Sequence, residues 1–86
     1  MMMQIFAVRD SAVEGFMQPF FSFSRAAAVR SLTEAVNDPK HEFFKHASYY
    51  ALYHLGAFDD ANGTIIPLQS GLPEPIISCS DLLNKA

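Results

Sequence analysis

Tryptophan is absent, cysteine occurs once, and lysine and arginine together number six in 86 residues. A single thiol, Cys79, cannot close an intrachain disulfide, so the fold must stand on its core and on a reducing environment. With nine Asp and Glu the net charge is −3. Proteins that hold duplex nucleic acid by broadly neutralising phosphates carry a positive excess, so any nucleic-acid contact here has to be local. No apolar run is long enough to span a bilayer: Met1 to Val8 is too short, and it lacks the basic segment and small-residue cleavage site of a secretory signal. The expected setting is the cytoplasm, without a membrane partner.

What is abundant is aromatic. Eight Phe and three Tyr accompany a composition that is 50% hydrophobic and 17% charged, which excludes disorder. A chain this short encloses one domain and cannot hide all of its apolar surface, so part of that surface is expected to meet a partner, a second copy making a homodimer being the simplest.

Met2 to Arg9 is apolar almost throughout, as in a central strand buried on both faces. Gly15 and Pro19 punctuate Phe16-Met17 and Phe20-Phe21, which predicts an irregular or edge-strand segment. Ser24 is a suitable N-cap for a helix over Arg25 to Val36, with Ala28, Val29, Leu32, Ala35 and Val36 on one stripe. Asn37-Asp38-Pro39 stops it. Lys40 to Ser48 reads as a polar connection. Tyr49 to Phe58 alternates as a strand, placing Tyr50, Leu52, His54 and Phe58 on one face and Tyr53 and Leu55 on the other. Asp59 to Gly63 turns the chain into Thr64-Ile65-Ile66, closing a hairpin. From Ser70, glycine and prolines break regular structure, and Ile76-Ile77 and Leu82-Leu83 read as tail anchors. The expected fold is α+β: a small antiparallel sheet against one main helix in the order β-(β)-α-β-β, with a domain over 1–69 and a tail over 70–86.

Enzyme signatures fail one by one. His41-Glu42-Phe43-Phe44-Lys45 imitates a zinc-protease helix, but lysine stands where the second histidine belongs, and His46 is out of phase. Asp59 and Asp60 lack the spacing of a calcium loop. His41, His54 and Asp59 form no paired constellation with one another. No cofactor motif and no metal site is expected, and the chain reads as a non-enzyme.

A basic and aromatic run remains. Arg25, Arg30, Lys40 and Lys45 are interleaved with Phe43 and followed by Tyr49, the pattern in which cations track phosphates and rings stack on the bases of a single strand. Against this stands a plainer reading, in which the phenylalanines are core and the cations a solvated rim, and the negative net charge favours it.

The order Pro19-Phe20-Phe21, Ala28-Val29-Arg30-Ser31, Val36-Asn37-Asp38-Pro39, Phe44-Lys45-His46, Tyr50, Leu52 to Gly56 and Phe58-Asp59-Asp60 resembles the small ORF5-type non-structural proteins of gokushoviruses. Those are single-stranded-DNA phages of the Microviridae. The resemblance covers roughly Gln4 to Leu68. It departs at Ala47-Ser48-Tyr49, where relatives carry Pro-Glu-Asp. It implies a non-structural, non-virion accessory protein that binds single-stranded DNA between genome replication and packaging. The competing expectation is an adaptor that engages a host factor or the phage's replication or capsid proteins without touching nucleic acid. Aromatic content and acidic balance favour that class.

Overall fold

The computed structural model describes residues 1–84, so the last two residues of the predicted tail lie outside it. Six strands form one antiparallel sheet. The long strands β1 (Met2–Asp10) and β4 (Tyr50–Asp59) pair in the middle. The chain returns along the free edge of β1 as two short collinear strands, β2 (Gly15–Phe16) and β3 (Phe20–Ser22), separated where Pro19 cannot donate to the ladder. It returns along β4 as β5 (Thr64–Pro67) and β6 (Glu74–Ser78). The sheet is therefore four rows wide, two interrupted hairpins joined through their first strands. The β4–β5 turn includes Gly63 at φ 73°, a left-handed conformation in which a side chain would be strained.

Between the hairpins lies α1 (Arg25–Val36), with the predicted bounds. Ser24 Oγ accepts from the Ala27 amide at 3.1 Å, satisfying one of the orphan donors of the first turn. The predicted stripe is the buried one: Ala28, Leu32 and Val36 are in the core and Val29 and Ala35 pack at its margin. They meet Phe6 and Val8 of β1 and Leu52 of β4 on one face of the sheet. The α+β class and the helix-on-sheet arrangement are as expected.

Three local expectations need correction. Lys40 to Ser48 is not a loop. It holds a short helix, α2 (Glu42–Lys45), and a 3₁₀ turn over Ala47–Tyr49, with Phe43 and Ala47 buried. One turn of helix with so little periodicity leaves no signal above that of a polar connection.

The second correction concerns the segment after Ser70. Glu74–Ser78 is a sheet strand, Ile77 lies opposite Leu52, and Cys79 has no exposed surface. Asn37, the helix terminator, sews this segment down. Its Nδ2 donates to the carbonyls of Thr33 and Leu82, both at 2.9 Å, and its Oδ1 accepts from the Asn84 amide at 2.7 Å. Ile76, Ile77, Leu82 and Leu83 are partly buried and pack against the same core as α1.

Burial pushes the Cys79 thiol up to about 11. A raised thiol pKa means that the unfolded chain ionises first. Stability should therefore be unaffected below the ordinary thiol value of 9 and decline as pH climbs from there towards 11. Tyr50, raised by burial and then by Asp10 and Glu42, adds in the same direction at the alkaline end. A chromogenic disulfide reagent at pH 8 should label the folded protein only as fast as the core opens, and labelling at the rate of a free thiol would contradict this placement.

Candidate nucleic-acid interface

The third correction creates the site. β1 and β4 stay in register from Asp10↔Tyr50 to Phe6↔His54, and then shift to Ile5↔Gly56. Leu55 is the extra residue of a β-bulge, so side chains beyond it change faces. His54 clamps the irregularity. Its ring lies on Phe6 at 4.9 Å, and its Nε2 contacts Gln4 Oε1 at 2.9 Å and the Gly56 carbonyl at 3.1 Å. A carbonyl only accepts, so Nε2 carries the proton. The expectation that Phe58 shares a face with His54 therefore fails, although Tyr50, Leu52 and His54 do share one.

Phe58 instead joins Ile5 and Phe21 on the face opposite α1. There it stacks on Phe21 at 5.6 Å with the ring planes 7° apart. Farther along the same face Phe16 meets Tyr53 edge-on at 5.2 Å. No helix lies across these rings among the described residues, and Phe16 and Phe21 are 45% and 54% exposed. Ile5 and Ala7 nevertheless are buried on this face. Their shielding comes from the flanking rings, so the two aromatic pairs are both cover for the sheet and its outer surface. In the strand register Arg9, opposite Phe16 and Ala51, is the one charged residue on this face among the described residues.

The six predicted contact residues do not converge. Phe43 is buried, with its ring against Tyr50 at 4.7 Å and His41 at 4.5 Å, and it cannot stack on a base. The exposed neighbour is Phe44. Arg25 reaches Glu74 at 3.2 Å. Arg30 is exposed and lies two positions from both Ala28 and Leu32, on the side of α1 away from the sheet. Lys40 lies beyond the far end of α1, whose 12 residues, with Arg25 at the start, span about 18 Å. Lys45 and Tyr49 are exposed, with the His46 ring stacked on Tyr49 at 6.0 Å. The helix cations thus sit on one side of the molecule and the paired rings on the other.

Sequence alternation already placed Tyr53 opposite Leu52. Phe16 and Phe21 sat in a segment whose faces could not be phased, and Phe58 was hidden by the bulge.

The zinc-like motif is structural. His41 Nδ1 accepts from the Phe43 amide at 3.0 Å as the cap of α2, and no cluster of three or more potential metal ligands occurs among the described residues. An open, mainly apolar groove of about 220 Å³ between α1 and the β2–β3 link is lined by Val8, Met17, Phe20, Leu32, Ala35 and Phe43, with Gln18 and Ser31 as its polar residues. None of these residues is an acid, a base or a thiol.

Fold and face together define a small α+β protein with a helix on one side of its sheet and an aromatic platform on the other. By its match to the family model of the phage ORF5 protein over residues 3–82, the chain belongs to that family. The match includes β6 and the turn after it, in keeping with their place in the sheet and core. Neither the curated proteins nor the solved structures contain a match to this chain. No helix among the described residues is long and apolar enough to cross a membrane.

Proposed function

We propose that this phage protein is a non-structural, non-enzymatic accessory protein of a gokushovirus-type member of the Microviridae. In this reading it binds single-stranded DNA in the host cytoplasm during genome replication or packaging. The observation that carries it is the pair of aromatic contacts, Phe21–Phe58 and Phe16–Tyr53, on an uncovered sheet face. Unpaired bases stack on such rings whatever their sequence, whereas a duplex keeps its bases stacked inside. The site moves from the predicted helix-side cluster to this face, with Phe16, Phe21, Tyr53 and Phe58 stacking and Arg9 contacting a phosphate.

One cation on the face explains how a chain of net charge −3 can bind a polyanion: the bases supply the affinity. The dependence on salt should then be shallow, with a slope of about 0.7 per phosphate contact on single strands. Fluorescence anisotropy with a labelled oligonucleotide measures both terms. Phe21→Ala and Tyr53→Ala should each cost about 1–3 kcal/mol of binding with little change in slope. Arg9→Ala should remove most of the slope, and Arg30→Ala should leave affinity within about twofold of wild type, because its side of α1 faces away from the rings. Circular dichroism serves as the folding control. Absence of binding at low salt, or ring variants that bind like wild type, would remove this reading in favour of the adaptor.

A further inference from the structure

The four strands that border the sheet are not equally protected against pairing with another chain. β2 and β3 are only two and three residues long and are broken apart by Pro19. β6 carries Glu74 and Pro75. Short length, charge and proline are the usual guards of a sheet edge. β5 has fewer of them. Thr64, Ile65 and Ile66 are uncharged, β-branched and exposed, Ile65 to 67%, and Pro67 comes only at the end of the strand.

We infer that β5 is a self-pairing edge, and that a second copy of this chain docks there antiparallel about a two-fold axis. The register follows from parity. Side chains directly opposite in an antiparallel pair share a face, so each residue must meet one of the same alternation. Pairing centred on Ile65 satisfies this: Ile65 faces its own equivalent, and Thr64 faces Ile66 in both directions. The alternative centred on Ile66 would bring Pro67, which has no amide hydrogen, into the middle of the ladder.

Ile65 lies opposite Phe58 in the register and so shares the ring face. The two-fold axis is then perpendicular to the sheet, and both aromatic faces end on the same side of one eight-row sheet. With rows spaced about 4.8 Å apart, that platform is about 34 Å from its first row to its last. Four residues per edge bury far less than the roughly 1,200 Å² of a standard interface. Dissociation constants of micromolar or weaker follow, and a ligand spanning both faces would tighten the dimer by mass action. The pairing rests on the edge alone and does not depend on the DNA reading.

Sedimentation velocity of the full chain from low micromolar to several hundred micromolar, without DNA, tests it. The expected result is a concentration-dependent monomer–dimer equilibrium that Thr64→Lys and Ile66→Lys each shift to monomer, since two lysines would face each other's strand across the axis. Both positions are exposed, and far-UV circular dichroism checks that each variant folds. Hydrogen exchange gives a second readout, with amides of 64–66 more protected at high concentration in wild type but not in Thr64→Lys. A wild type that stays monomeric throughout, or lysine variants that dimerise equally well, overturns the inference. Dimerisation without any DNA binding would leave it standing while removing the function proposed above.

Discussion

Replacing Phe6 with alanine should cost about 3–5 kcal/mol of folding stability, the largest loss expected of any single truncation here. Phe6 has no exposed surface, lies on the His54 ring at 4.9 Å, and faces Phe20 with ring centroids 6.0 Å apart. Its removal would leave a cavity beneath α1 that the central strands cannot collapse, because β1 is held by partners on both sides. A domain of 86 residues has about 4–13 kcal/mol in all. The variant should therefore unfold at much lower urea, or fail to fold at 37 °C. Phe21→Ala provides the contrast. Phe21 is the next residue along β3 from Phe20 but lies on the outer face and is 54% exposed, so its loss should lower the urea midpoint far less than that of Phe6. Equal effects for the two phenylalanines would mean that the ring face is covered in the folded protein.

The second large effect is expected at Gly56. A Cβ built there would stand 2.5 Å from the Ile66 carbonyl oxygen, a backbone atom that cannot swing aside. Gly56 pairs with Pro67, next to Ile66, in the β4–β5 ladder. Gly56→Ala should therefore cost about 1–3 kcal/mol, and Gly56→Val more, by driving β5 off β4. Hydrogen exchange should show amide protection lost in 64–66 while β1 and α1 keep theirs. Since β5 is also the self-pairing edge, the same variant should weaken dimerisation. An unchanged urea midpoint for Gly56→Ala would show that β5 does not approach β4 this closely.

Expectation and structure part company at interpretable places. The helix over 25–36 was legible because Ser24, an uninterrupted apolar stripe and Asn37-Asp38-Pro39 all act within a few residues of one another. The β4–β5 hairpin was legible for the same reason, its turn chemistry being local. The candidate site was not. Its four rings come from β2, β3 and β4, and they meet only because β1 pairs with all three. The predicted site failed where it used adjacency in sequence as a proxy for adjacency in space: Phe43 and Lys45 are two residues apart, yet one is core and the other solvent-exposed.

Composition and local pattern by themselves determined that this is one aromatic-rich α+β domain without a broad basic surface, and they set the boundaries of its main helix. Those properties depend on interactions between residues at most a few positions apart. Tertiary structure decided the rest. Asn37, with its bonds to Leu82 and Asn84, turned an apparent tail into part of the fold. A bulge of one residue, stabilised by the His54 contacts to Gln4 and Gly56, moved Phe58 from the helix side to the open face. A strand has a period of two, so one inserted residue reverses every side chain beyond it. Whether that residue is inserted depends on the pairing of β1 with β4, between segments some fifty positions apart, which no local pattern encodes.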